Sequence, residues 1–327
     1  MSMESCNKTN ESNTMNQRTE TQAYKINEEL MEILHDKESG CYKSWQFVNY
    51  KVHVDTLKTT YDEIVLWGNQ ESMIRPGWKI GNNEITIPNL FSKVNGIHED
   101  VKLYREEVNK LVEDEDTLFF KRFPLYKNRF KKSVSKAYFQ MLNLDGEMKK
   151  ETLLTSEYWN YKKLSPVLQE AIADRIVEFC KIPDFWKHKN FKSRIRLTIF
   201  NRLIDLALLV FNREARDERL MKISIFAVLT NLDKELIELL RDFDYPMKVP
   251  KIVIYNNNKG RHMTFADAVI LMFMNSMGAD IVIYNPAGAS DIENYVKEEC
   301  YDIHRLEETR QSLPYKKNNI FYRMSRK

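Results

Sequence analysis

The chain has 327 residues, 43% hydrophobic and 30% charged, with a formal net charge of +3. That is an ordinary soluble composition, long enough for two cored domains, and it supplies no electrostatic demand for nucleic acid or an anionic membrane. Four cysteines (Cys6, Cys41, Cys180 and Cys300) lack CxxC spacing, and six histidines are dispersed, which argues against a disulfide framework or a zinc site.

Residues 1–23 are rich in Asn, Ser, Thr and Glu with no apolar stretch. They read as a disordered leader rather than a signal peptide. Residues 24–160 read as a smaller α+β N-terminal domain. It opens with a helical pattern at Ile26, Leu30, Ile33 and Leu34. A strand candidate follows around Val48, Val52 and Val54, and YDEIVLWGNQ then reads as a strand or short helix. Gly81 to Asn83 mark a turn, EITIP is a strand stopped by Pro88, and HEDVKLYREEVNKLVEDED is a charged helix.

Residues 161–327 are predicted to combine a helical segment with a Rossmann-like βαβ domain. Ser165 and Pro166 start a helix with an N-cap and a first-turn proline. Further helices are predicted at 194–211, 217–229 and 233–241. The runs KIVIYN from Lys251 and DIVIYN from Asp280 are continuously apolar, as parallel strands covered on both faces read. Thr264 and Asp267 resemble a capping box opening an almost wholly apolar helix, and Gly278 falls where a left-handed cap is expected. Ser290 and Glu293 repeat the box, predicting a helix at Asp291, and Tyr301 to Leu306 is a third strand candidate. The predicted class is therefore α/β, with the parallel βαβ unit at the C-terminus.

Both loops leaving KIVIYN and DIVIYN lie at the carboxyl ends of neighbouring parallel strands, where open α/β sheets bind ligands. The first offers Asn256, Asn258, Lys259 and Arg261, with Thr264 opening the next helix. The second offers Asn285, Gly288, Ser290 and Asp291. A glycine ahead of a helix N-terminus suits a phosphate or carboxylate, so a nucleotide or sugar phosphate is the expected ligand. Turns and caps alone explain the same residues, and neither a P-loop nor a dinucleotide fingerprint is present. The basic-aromatic run Phe119 to Lys132 could bind a nucleic-acid strand, but the acidic Glu113 to Asp116 precedes it and a solvated face accounts for it.

RPGW at Arg75 to Trp78, ITIPNLFSKVNGI at Ile85 to Ile97, and the two doubled-strand stretches resemble the bacterial YceG-like family. The resemblance covers most of the chain after the leader. It implies a cytoplasmic component of a biosynthetic module encoded with tellurite-resistance and stress genes, alongside TerD-like and TelA-like proteins. It carries over no catalytic residue and no cofactor, although a nucleotide ligand would bring magnesium. Within the first signature, Arg75 and Lys93 are placed to reach an anion at the strand mouth. The expectation is therefore binding, and transfer as a further option, of an anionic metabolite. The alternative is a non-catalytic scaffold that docks other stress proteins.

Overall fold

The computed structural model describes residues 50–127, 134–187, 213–241, 248–257 and 262–315. The predicted leader, the helical pattern at 26–34 and the helix predicted at 194–211 lie outside these residues.

A five-stranded sheet organises the chain. Its strands are β4 (Phe91–Asn95), β5 (Thr117–Phe120), β6 (Lys251–Tyr255), β7 (Asp280–Asn285) and β8 (Asp302–Arg305), in the spatial order β5-β6-β7-β4-β8. Every pairing is parallel. The doubled strand is thus real: β6 and β7 lie side by side, with Tyr255 opposite Tyr284. The expected third strand also forms, but β8 pairs with β4 and not with β7. Strands from the 24–160 and 161–327 stretches therefore share this sheet.

Side-chain alternation sends successive residues of each strand to opposite faces. Ile252, Ile254, Ile281 and Ile283 enter a large core that also holds Phe179, Phe226 and Phe273. Its helices include α3 (Val134–Gln140), α4 (Lys150–Thr155), α5 (Pro166–Cys180), α6 (Arg213–Leu229), α7 (Lys234–Arg241) and α8 (Phe265–Ser276). Val94, Val253, Tyr255, Val282 and Tyr284 face a second core, built with Ile64 of α1 (Tyr61–Gly68) and Tyr104, Val108 and Leu111 of α2 (Val101–Val112). Coverage on both faces is why β6 and β7 can be apolar without alternation.

Local chemistry sets the helix ends. Asp100 caps α2, accepting from the Lys102 and Leu103 N–H groups, and Ser165 caps α5 ahead of Pro166. The Thr264–Asp267 capping box opens α8, and Gly278 follows it at φ +109. Asp267 does more than cap, because its other oxygen accepts from the Leu125 and Tyr126 N–H groups. The ambiguous YDEIVLWGNQ stretch is the helix α1.

A smaller sheet joins β1 (Lys51–Thr56), β2 (Lys79–Ile80) and β3 (Glu84–Asn89), in the order β1-β3-β2. Pro88 does not stop β3, which runs on to Asn89. β2 pairs only with Ile85 and Thr86, so the missing proline N–H falls beyond that partner.

The two sheets meet at the amino end of β7. Arg75 pairs bidentately with Asp280, at 2.7 and 2.8 Å, with both side chains fully buried. Asp280 also accepts from the Leu90 N–H. Asn89 donates to the Asn275 and Ala279 carbonyls, and Asn275 to those of Leu90 and Ala279. Removing one partner of a buried ion pair strands the other charge. Arg75→Met is therefore expected to cost about 3–5 kcal/mol, read as a lower urea midpoint with unchanged slope.

Candidate functional site

The connections out of β4 and β7 diverge. After β4 the chain passes through α2 on the second-core face. After β7 it passes through 286–301, whose Ile292, Val296 and Tyr301 pack in the larger core. β4 and β7 are neighbours, so the point where the winding changes direction lies between them. Outside the carboxyl ends at such a point is where open parallel sheets form their ligand crevice.

Asn95 and Asn285, the last residues of β4 and β7, are opposite each other there. Alternation places both, with Lys93 and Asn256, toward the larger core. The fully buried Lys93 ammonium lies 2.7 Å from Asp291 Oδ1 and 2.6 Å from each Glu293 carboxylate oxygen, and donates to the Ala289 carbonyl at 2.8 Å. Asp291 Oδ1 also accepts from the Ile292 N–H, at 2.7 Å. Asp291 Oδ2 accepts from the side-chain amides of Asn285 at 2.9 Å and Asn256 at 3.3 Å. Asn285 further donates to the Ala289 carbonyl. The cluster staples the loop after β7 to the ends of three strands.

Burial pushes the Asp291 carboxyl above its ordinary range, against the pull of Lys93. Burial opposes the Glu293 charge too, but the hydrogen bond and charge of Lys93 win and hold that carboxyl below its ordinary value. The cluster leaves two acceptors over. Asn95 Oδ1 and Asn285 Oδ1 are buried and have no hydrogen-bond partner among the described residues.

The rim comes from two segments. Residues 286–290 include Gly288, exposed at φ +65, and the exposed Ser290. Residues 306–310 strap across from β4 to β7. Leu306 N–H donates to the Asn95 carbonyl, Ile97 and Glu308 exchange hydrogen bonds, and Arg310 N–H donates to the Pro286 carbonyl. A Cβ on Gly96 would lie 2.5 Å from the Glu308 carbonyl oxygen, so only glycine lets the strap pass there.

Of the predicted site residues, Lys93, Asn256, Asn285 and Asp291 come together. Thr264 is occupied as the α8 N-cap. Arg75 stands at the opposite, amino end of β7, bound to Asp280. Asn258, Lys259 and Arg261 lie outside the described residues. No helix opens at Asp291. Ser290 and Glu293 form no box, because Glu293 accepts from the Asp291 N–H and turns to Lys93, leaving short 3-10 turns at Ile292–Asn294 and Glu298–Cys300. Asn95 was missed. Its signal was present in the sequence, since FSKVN, KIVIYN and DIVIYN each end in Asn.

Among the described residues no group of His, Cys, Asp and Glu has the arrangement of a metal site, and no helix is long and apolar enough to cross a membrane.

A parallel sheet with helices on both faces, and a polar cluster where its winding reverses, define an α/β protein. The chain belongs to the YceG family. The YceG domain matches residues 58–212 and 186–325, and the YceG protein of Bacillus subtilis (strain 168) is 33% identical over 309 residues, 94% of this chain. The chain spans about half the length of that relative, 53%. No solved structure matches it.

Lys93→Met is expected to leave Asp291 and Glu293 buried without a cation, costing about 3–5 kcal/mol near neutral pH. Without Lys93 both carboxyls bind protons more tightly in the folded than in the unfolded chain. The variant's stability then falls, relative to the unsubstituted protein, as pH rises above the ordinary carboxylate range. Urea unfolding at about pH 4.5, at the upper edge of the ordinary carboxylate range, and about pH 7, well above it, should show the smaller deficit at the lower pH.

Proposed function

We propose that the chain binds a small metabolite of the nucleotide or sugar-phosphate class between the carboxyl ends of β4 and β7, in a Rossmann-like winding. The observation that carries this is the facing pair of buried, unpartnered Asn95 and Asn285 amide oxygens at the point where the winding reverses. Neighbouring strands are about 4.8 Å apart, so the two acceptors suit adjacent hydroxyls such as those of a ribose. The Lys93 charge is already consumed by Asp291 and Glu293. This part of the crevice is therefore matched to the sugar of such a ligand rather than to its phosphate. A ligand reaches the pair past the exposed Gly288–Ser290 rim, with displacement of that loop.

The YceG resemblance supports placing this binding in a cytoplasmic, stress-linked biosynthetic module, with TerD-like or TelA-like proteins as partners. The non-catalytic scaffold is the competing reading.

Saturation-transfer NMR with ribose, nucleosides, nucleotides and sugar phosphates, with and without magnesium, tests the proposal. Ribosides should bind more tightly than their 2-deoxy counterparts. Asn95→Ala should weaken that binding about tenfold, ~1.4 kcal/mol, the worth of one hydrogen bond. Silence across the panel, with stable capture of a TerD-like or TelA-like protein, would replace the ligand reading with the scaffold.

A further inference from the structure

Directly beneath the strand mouth, on the other face of the sheet, the second core contains polar atoms that its apolar character does not explain. Tyr255 and Tyr284 precede Asn256 and Asn285, are register partners on adjacent strands, and point into the layer under α2. Tyr104 of α2 meets Tyr284 edge-on, with ring centroids 5.9 Å apart. Tyr104 and Tyr284 are fully buried and Tyr255 is 1% exposed. All three hydroxyls are shut off from solvent without a hydrogen-bond partner among the described residues, and so is Arg105 Nε.

Buried hydroxyls are normally paired, and those that lack a protein partner commonly share an ordered water. The layer is otherwise largely aliphatic, with Val94, Val108, Val253, Val282 and Leu111, and although Tyr61 and Tyr315 pack against it, none of its side chains bonds the three hydroxyls. Tyr255 and Tyr284 leave adjacent strands at one register level. Their hydroxyls make no direct bond to each other, and a water can bridge two such groups.

A chain of ion-pair and hydrogen-bond contacts approaches the same layer from the surface. The Glu307 carboxylate is 3.0 Å from His98 Nδ1, His98 Nε2 is 3.2 Å from Glu107 Oε2, and the Tyr61 hydroxyl donates to Glu107 Oε2 at 2.6 Å. Tyr61 packs against the layer that holds Tyr104 and Tyr284.

We infer that Tyr104, Tyr255 and Tyr284 line an internal water-binding chamber, and that its water extends the Glu307–His98–Glu107–Tyr61 chain to the underside of the strand mouth. This is independent of any ligand in the crevice above.

The sign of three conservative substitutions tests it. A phenylalanine relieves a hydroxyl that is stranded, but removes a bond from one that holds water. Tyr104→Phe, Tyr255→Phe and Tyr284→Phe should each lower the melting temperature, by about 2 °C at this chain length. Tyr255→Phe combined with Tyr284→Phe should lower it by less than the sum, because one bridging water serves both. Rising melting temperatures for the single variants would overturn the inference. Independently, a high-resolution crystal structure should show ordered water within hydrogen-bond distance of these hydroxyls, and dry apolar packing around them would overturn it as well.

Discussion

Asp280 fixes the join on which the sheet depends. Its carboxylate takes the Arg75 guanidinium and the Leu90 N–H together, so the first residue of β7 is bound to the segment that runs into β4. Asn89 and Asn275 cross the same junction with amide hydrogen bonds. The Thr56 hydroxyl, on the last residue of β1, has both of their amide oxygens within reach of its one proton, at 3.0 and 3.2 Å. β4 is thereby seated between β7 and β8, and everything at the carboxyl end inherits its geometry from that seating. Burying such a pair is weak evidence of net stability, because desolvation consumes much of the attraction. Its value here is positional: an Asp280 that could bind elsewhere would let β4 slide against β7.

The two ends of the sheet divide the polar work. At the amino end Arg75, Asp280, Asn89 and Asn275 are bonded by one another and by neighbouring backbone and fix position. At the carboxyl end a second saturated cluster, centred on Lys93, pins the loop after β7 but leaves the Asn95 and Asn285 acceptors over. A buried network that is complete except at one facing pair of groups is the arrangement expected where something else completes it. The larger core supplies the rigidity behind this, with α8 buried along nearly its whole circumference.

Much of this was legible in the sequence. Continuous apolar runs gave β6 and β7 as parallel strands, the Thr264–Asp267 spacing gave the start of α8, and Ser165–Pro166 gave that of α5. Three things were not. Strand order depends on which strand lies between which, and nothing local in FSKVN indicates that it sits between two strands from far along the chain. The Ser290–Glu293 spacing looked like a capping box, but a buried lysine from a distant strand outbids a backbone N–H for a carboxylate. Arg75 looked like a ligand for an anion because an arginine's partner cannot be read without the fold. Lys93 was picked for a related reason and does reach the mouth, though its charge is already met there. Asn95 repeats the strand ending of its two neighbours, but FSKV ahead of it is no copy of their apolar runs, so one residue is all that marks the likeness.

The seating of β4 has a consequence for how the chain folds. Leu90 and Asp280 are 190 residues apart, so β4 must remain unpaired on that side until β7 has been made and docked. Contacts of that span close late and slowly, and an apolar strand waiting with an open edge is a template for aggregation. Of the five residues in FSKVN, Lys93 is the charged one. Before β7 arrives its ammonium is solvated and stands on the waiting strand as a gatekeeper. Afterwards the same charge is buried against Asp291 and Glu293. One lysine thus serves the nascent chain by its solubility and the finished protein by its pairing.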